Sequence, residues 1–269
     1  MAELTEATKS MLVEVSHKLA VVARNQALAS FRMSGLLSEN KLADGFDPVT
    51  KADRDAEAAM REILARERPD DGVIGEEFPP LEGSSGLTWV LDPIDGTRGY
   101  ISGTPTWGVL IAVSDETGPL LGVIDQPYVG ERFIGGFGLA EYEGPLGLRP
   151  LKTRAAQPLS QATLLTTFPE VGTAEEGRAF HAVSKQAQLT RYGMDCYGYA
   201  LLAAGCVDLV IEAELNAYDI QAPIAVVQAA GGIVTDWAGN PAHNGGRAIA
   251  AANPEIHAEA MAILREVIG

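Results

Sequence analysis

The sequence predicts a mixed α+β and α/β fold, on three observations. Two segments near the N-terminus carry apolar residues at helical spacing. The stretch from Trp107 to Gly138 reads as short strands separated by turns, which suits an antiparallel sheet. From about Gly144 onward strands alternate with helices, the pattern of an α/β unit. The expected boundary lies near 143–150, where Glu143-Gly144-Pro145-Leu146-Gly147 reads as a linker between an N-terminal α+β part, 1–145, and a C-terminal α/β part, 146–269.

Taken in order, Thr5 to Phe31 is expected to be helical, because Leu12, Val15, Leu19 and Val22 share one face and Lys18 and Arg24 lie off it. Pro48 pushes Asp47 toward an extended conformation. Thr50 and Asp53 then resemble a capping box, with Asp in place of the usual Glu or Gln, opening a helix to about Arg68. That box explains Asp53. Asp47 lies outside it, so a capping reason and a site reason both stay open there. Val73 to Glu77 reads as a short strand ending in two acids. Acids at a strand end are commonly just solvated. These gain interest because Trp89-Val90-Leu91, a second buried strand, runs into Asp92 and Asp95, and neighbouring strands would bring the acidic ends together. Pro93 lacks a backbone donor and is expected to break that strand. Gly96 and Thr97 suit a tight turn opening a helix, where free N–H groups can bind an anion.

Strands are expected at Trp107–Val113, Leu120–Asp125 and Arg132–Gly138. The Gly135-Gly136-Phe137-Gly138 cluster is a turn, since it lacks the strand-to-helix setting of a dinucleotide fingerprint. Farther on, Thr163–Phe168 reads as a strand, 170–188 as a helix, Leu189–Tyr192 as a strand, Tyr197–Ala204 as a helix and Val207–Glu212 as a strand. Leu215 to Asp219 leads into a helix through Ala230. Ile233–Asp236 and Ala248–Ala252 are strands, and Asn253 and Pro254 cap and open a last helix.

Composition narrows the function. With 269 residues and 46% apolar residues the chain can build a substantial core. A net charge of −16 argues against nonspecific nucleic-acid binding. It leaves room for a phosphorylated substrate if metal ions neutralise the site locally. Two cysteines, Cys196 and Cys206, are too few for a disulfide framework. No apolar run approaches the roughly 18 residues of a membrane span, and Met1 to Glu6 has neither the basic flank nor the apolar stretch of a signal peptide. A cytoplasmic protein without a membrane partner is expected.

The candidate chemistry follows by elimination. There is no Gly-x-Ser-x-Gly elbow and no Walker loop, and the four histidines sit in helical or loop contexts. The cysteines have no matching His pair for zinc. Pro93, and Gly103 where the closing Glu would fall, exclude an EF-hand. What remains is an all-oxygen site around Asp92 and Asp95 beside an anion cradle, which suits Mg²⁺ or Mn²⁺.

Four stretches carry a resemblance. Asp47-Pro48-Val49-Thr50-Lys51-Ala52-Asp53, Gly75-Glu76-Glu77, Asp92-Pro93-Ile94-Asp95-Gly96-Thr97, and Tyr218-Asp219 followed by Ala229-Ala230-Gly231-Gly232 resemble, in order and spacing, the inositol monophosphatase family. The texture at 107–112, at Asp125-Gln126-Pro127 with Gly130-Glu131-Arg132-Phe133, and at 191–197 is similar to the histidinol-phosphate phosphatases of that family.

The resemblance implies a layered α-β-α-β-α sandwich, usually dimeric, and a metal-dependent phosphomonoesterase using two or three Mg²⁺. Glu76, Asp92 and the carbonyl of Ile94 would hold one ion, and Asp92, Asp95 and Asp219 a second. Two ions about 3.5–4 Å apart can stabilise both the attacking and the leaving oxygen of a phosphate ester. Asp47 and Thr97 would pair near the attacking water, with Glu76 assisting. The Gly96 and Thr97 N–H groups would bind phosphate, and Asp95, Asp195, Glu212 and Asp219 would contact the substrate, a small phosphorylated alcohol. Two acids at the alcohol end, Asp195 and Glu212, could pair with the amine or imidazole of L-histidinol phosphate, whereas an inositol phosphate has no cation. Asp195 as a cap for the helix near Cys196 is the structural alternative. The chain departs from the family at Tyr218, where Trp is frequent, and at Gly99-Tyr100, where Asn-Phe or Ala-Phe is usual. Both changes are placed to reshape the pocket without removing a ligand. Inositol phosphate, fructose bisphosphate and adenosine bisphosphate remain competing substrates. A noncatalytic metal- or phosphate-binding module is the reading from another class.

Overall fold

The computed structural model describes residues 4–33, 38–40 and 48–268. Helix α1 (Glu6–Ser30) opens at Thr5, whose hydroxyl accepts the Thr8 N–H at 3.2 Å, and buries Leu12, Val15, Leu19, Ala20, Ala23 and Ala27. Strand β1 (Ser38–Asn40) pairs antiparallel with β2 (Pro48–Thr50). Helix α2 (Lys51–Glu67) starts with the expected capping box, in which the Thr50 N–H and hydroxyl donate to Asp53 Oδ2 at 2.8 and 2.5 Å.

Strands β3 (Gly72–Gly75) and β4 (Thr88–Asp95) then run parallel, and α3 (Thr97–Ser102) follows at the end of β4. Strands β5 (Gly108–Asp115), β6 (Gly118–Gln126), β7 (Glu131–Gly136), β8 (Leu139–Gly144) and β9 (Gly147–Pro150) continue a seven-stranded sheet in sequence order, each antiparallel to its neighbour. The second half contributes β10 (Thr163–Thr166), α4 (Ala174–Ser184), β11 (Leu189–Tyr192), α5 (Tyr197–Ala203), β12 (Leu209–Leu215), α6 (Ala217–Ala229), β13 (Ile233–Thr235), β14 (Gly246–Ala251) and α7 (Pro254–Ile268). Its five-stranded sheet has the order β11-β10-β12-β14-β13.

Period-two alternation assembles the layers. On the seven-stranded sheet, Trp89, Leu91, Val109, Ile111, Val113 and Val123 face α1 and α2, while Val90, Leu110, Ala112, Ile124 and Phe133 face α5 and α6. On the five-stranded sheet, Leu165, Val210, Ala248 and Ala250 face those same helices, and Leu164, Leu209, Ile211 and Ile249 face α4 and α7. The result is helix pair, sheet, helix pair, sheet, helix pair. The central strands of each sheet are buried on both faces, which explains why they read as continuous apolar runs, whereas the edge strands β9 and β11 are largely exposed. Helix α6 lies so close to the larger sheet that a Cβ on Gly135 would stand 2.6 Å from the Val226 Cα, and one on Gly122 would stand 2.3 Å from the Ala222 carbonyl oxygen.

Three local expectations change. The stretch Glu143 to Gly147, expected as a linker, is the tip of the β8–β9 hairpin, because Gly147 takes the positive φ of 83° that the tight turn needs. Pro93 does not end its strand: β4 continues to Asp95, with a register irregularity against β5 between Asp92 and Asp95 that accommodates the missing donor. The helix expected over 170–188 is shorter, starting at Ala174 behind a Thr173–Glu176 capping box. None of the described helices is long and apolar enough to cross a membrane.

Candidate active site

The irregularity in β4 shapes the site. In a regular strand residues three apart point to opposite faces. Here the bulge turns both Asp92 and Asp95 into one cleft, where Asp219 joins them from α6. One carboxylate oxygen of each lies within 4.8 Å of the others. Asp219 sits at the third position of α6, where its Oδ2 accepts the Asn216 N–H at 2.6 Å. That capping box fixes the side chain at the helix start. Glu76 follows the end of β3, beside β4, close enough to Asp92 for its charge to raise that carboxyl. The parallel β3–β4 pair thus brings the two acidic strand ends together as the sequence predicts.

These acids are costly to bury as anions. Asp92 is 2% exposed. Its carboxyl is held well above the usual carboxylate range, first by burial and then by the charges of Glu76, Asp95 and Asp219. Asp95 is raised likewise by burial and by Asp195 and Asp219, and only partly relieved by the Cys196 N–H, which donates to its Oδ2 at 2.6 Å. Burial and the same acids push the Cys196 thiol well up, so it is no nucleophile. A set of converging oxygen donors whose mutual repulsion disfavours ionisation fits a hard divalent cation.

On the other side of Asp95, Gly96 adopts φ +84° and opens α3. A Cβ there would stand 2.7 Å from the Asp195 carboxyl carbon, so glycine is required for space as well as for φ. The Thr97 hydroxyl lies 3.1 Å from the Ile94 carbonyl oxygen and 3.3 Å from Asp53 Oδ1. Asp53 therefore does more than cap α2: one oxygen closes the capping box and the other faces Thr97. Sequence reasoning missed that second contact because the box alone accounted for Asp53. Asp47, the expected partner of Thr97, lies outside the described residues.

The remaining two candidates line the same cleft, which has a volume of about 290 Å³ and also includes Glu76, Asp92, Ile94, Asp95, Gly96, Thr97 and Asp219. Asp195 adopts φ 47° and accepts the Thr106 hydroxyl at 3.3 Å. Cys196, not Asp195, is the first flanking residue of α5, and no side chain caps that helix, so the capping alternative for Asp195 fails. Burial and the neighbouring Glu212 raise the Asp195 carboxyl to about 6, while Arg98 opposes the shift. Glu212 is held by the Thr167 N–H and hydroxyl, at 3.1 and 2.6 Å, and by the Tyr199 hydroxyl at 2.8 Å. Of the two departures in sequence, Tyr218 lines the cleft. Tyr100 instead turns into the core, tilted against the Phe31 ring and edge-on to Trp107, with its hydroxyl donating to the Ala27 carbonyl. Gly99 lies beside Asp195: a Cβ there would approach its Oδ2 to 3.4 Å.

Comparison with known proteins agrees with this geometry. The sequence profile of the inositol monophosphatase family matches residues 8–268. The chain belongs to that family. It is 34% identical over 265 residues to the histidinol-phosphatase of Streptomyces coelicolor, covering 94% of this chain and 97% of that one. It is 44% identical over 198 residues to the bifunctional phosphatase IMPL2 of Arabidopsis thaliana, a match spanning 73% of this chain and 56% of that longer protein. Among solved structures, an inositol monophosphatase from Zymomonas mobilis superposes with a TM-score of 0.84 at 37% identity, over 97% of this chain and all of that one. The layered α-β-α-β-α sandwich and a phosphomonoesterase activity are those of the family, and the family is metal-dependent.

Proposed function

We propose that this phosphatase is a Mg²⁺-dependent histidinol-phosphate phosphatase, releasing L-histidinol and phosphate by attack of water on phosphorus. Glu76, Asp92 and the Ile94 carbonyl would hold one cation, and Asp92, Asp95 and Asp219 a second, with a third left open and Mn²⁺ a substitute. When bound, these ions supply positive charge to the phosphoryl oxygens and acidify a water. The chain's own groups do the rest. The N–H groups of Gly96 and Thr97 hold the phosphate at the start of α3. Glu76 accepts a proton from the attacking water, with Thr97 and Asp47 orienting it. A P–O bond forms to the water oxygen as the ester P–O bond breaks, and the proton given up by water balances the departing alkoxide. No covalent bond to the enzyme is needed, in keeping with the inert Cys196.

The substrate reading rests on one observation: Asp195 and Glu212 line the cleft of the acid cluster and repel each other. A cationic amine or imidazole relieves that repulsion, and a polyol does not. The similarity to a histidinol-phosphatase supports this choice, and the comparable similarity to an inositol monophosphatase keeps inositol 1-phosphate as the rival. A cleft of about 290 Å³ sits at the small end of ligand pockets, roughly 300–1,000 Å³, which suits either. The test is Asp195→Asn. A hydrogen bond to a charged group contributes about 1.5–3 kcal/mol, so kcat/KM for histidinol phosphate should fall roughly 10- to 100-fold, with inositol 1-phosphate hydrolysis changed much less. Equal losses on both would overturn the amine assignment. A homodimer in the cytoplasm belongs to the same reading, and sedimentation of the purified protein checks the dimer.

A further inference from the structure

A polar stripe on α2 carries no role in the chemistry above. Asp53, Glu57 and Arg61 recur every four residues, so they lie on one face of that helix. The Glu57 side chain is fully buried and that of Arg61 is 13% exposed. Glu57 Oε1 accepts the Arg61 Nε–H at 2.7 Å, and Oε2 accepts the backbone N–H of Glu77 at 2.7 Å. Arg61 in turn donates to the carbonyl of Phe78 at 3.1 Å, with its guanidinium 5.8 Å from the Phe78 ring centroid. Gly75 leaves space for this contact: a Cβ there would stand 2.0 Å from Glu57 Oε1. The pair therefore holds the chain immediately after Glu76, at Glu77 and Phe78, and packs against Gly75 immediately before it. At the N-terminal end of the same stripe, Asp53 faces the Thr97 hydroxyl.

A buried ion pair is a poor way to gain stability, since well-packed apolar residues of the same volume often do as well or better. Its value here is geometric. Glu76 sits on a short segment beyond the end of β3: the β3–β4 ladder fixes Gly75 before it, and the hydrogen bonds with Glu57 and Arg61 fix Glu77 and Phe78 after it. We propose that Glu57, locked by Arg61, is a positioning residue that sets the backbone around Glu76 and thereby the metal affinity and turnover of the cleft. This rests on the reading of Glu76 as a metal ligand and proton acceptor.

The experiment compares Glu57→Ala, Glu57→Gln and Glu76→Gln. Each is read by calorimetric Mg²⁺ titration without substrate, by kcat and KM for L-histidinol phosphate, and by thermal stability in chelator. Loss of an outer support typically weakens metal binding about 10- to 100-fold. Glu57→Ala should weaken Mg²⁺ by that factor and lower kcat more than it raises KM. Glu57→Gln, which keeps an acceptor for the Glu77 N–H, should recover most of the Mg²⁺ affinity. If Glu57→Ala only lowers thermal stability and the folded protein binds Mg²⁺ like wild type, the proposal is overturned. If Glu57→Ala does not fold, Arg61→Lys decides. It keeps the charge but loses the fork that reaches both Glu57 and Phe78, and unchanged Mg²⁺ affinity there overturns the proposal equally. Glu76→Gln separates the two readings. Weakened Mg²⁺ binding in Glu76→Gln with none in Glu57→Ala defeats only the positioning role, whereas wild-type binding in Glu76→Gln defeats the ligand reading itself.

Discussion

Replacing Asp92 with Asn should make the metal-free protein more stable and the enzyme inactive. Asn matches Asp in shape, and its side-chain oxygen can keep the bond that Asp92 Oδ1 accepts from the Ile94 N–H at 3.0 Å. Its amide can also donate to Glu76, the acid that repels Asp92 most strongly. The fold is thus retained while a buried charge is removed. Because the folded-state carboxyl of Asp92 is raised, its contribution to stability is fully present below the unfolded value of about 4 and is lost as pH rises through the raised value. In chelator, wild type should therefore lose stability on going from about pH 4 to 8, and the variant should lose less. With Mg²⁺ the order reverses. A ligand at 100 times its Kd stabilises by about 2.7 kcal/mol, which for a chain of this size is a rise in Tm of roughly 5–10 °C. Wild type should show that rise and Asp92→Asn should not. Loss of several kcal/mol of transition-state stabilisation corresponds to roughly 10³-fold or more in kcat. Thermal melts at two pH values, with and without Mg²⁺, and phosphate release give the answer. A variant that melts lower than wild type in chelator at pH 8, or that keeps its Mg²⁺ response, would refute the argument.

Two further outcomes test how the scaffold holds the site. Gly135→Ala forces a methyl to 2.6 Å from the Val226 Cα. This should cost about 1–3 kcal/mol, seen as a lower Tm, and shift α6 enough to weaken metal binding through Asp219. Asp125, fully buried, accepts from Arg24 at 2.9 and 2.7 Å and from Arg132 at 2.7 Å. Asp125→Asn leaves both guanidinium groups short of an anion and should cost about 3–5 kcal/mol in denaturant melts, with the Mg²⁺ affinity of the folded protein unchanged.

Much of the site was legible because its signals are local and additive. Two apolar strands each ending in acids predict a convergence, and β3 and β4 do lie side by side. The helical and strand periods of α1, α2, β5 and β6 predict layers, and the layers form. What was hidden is where one local signal has two outcomes. Gly144-Pro145-Leu146-Gly147 has the composition of both a linker and a hairpin tip, and only the strand partner distinguishes them. Pro93 signals a strand end, yet a bulge accommodates it and thereby turns Asp92 and Asp95 to the same side. Asp53 satisfies a capping box, which conceals its second contact with Thr97. Glu57 carries no local signal in the sequence, because its burial against Gly75 depends on a chain segment that follows it by 18 residues.

The central claim is tested most directly by phosphate release from L-histidinol phosphate, inositol 1-phosphate, fructose 1,6-bisphosphate and 3′-phosphoadenosine 5′-phosphate, each with Mg²⁺ and with chelator. The account predicts Mg²⁺-dependent turnover with a kcat/KM for L-histidinol phosphate well above the other three. Preference for inositol 1-phosphate would contradict the role given to Asp195 and Glu212, and turnover unaffected by chelator would contradict the role given to Asp92, Asp95 and Asp219.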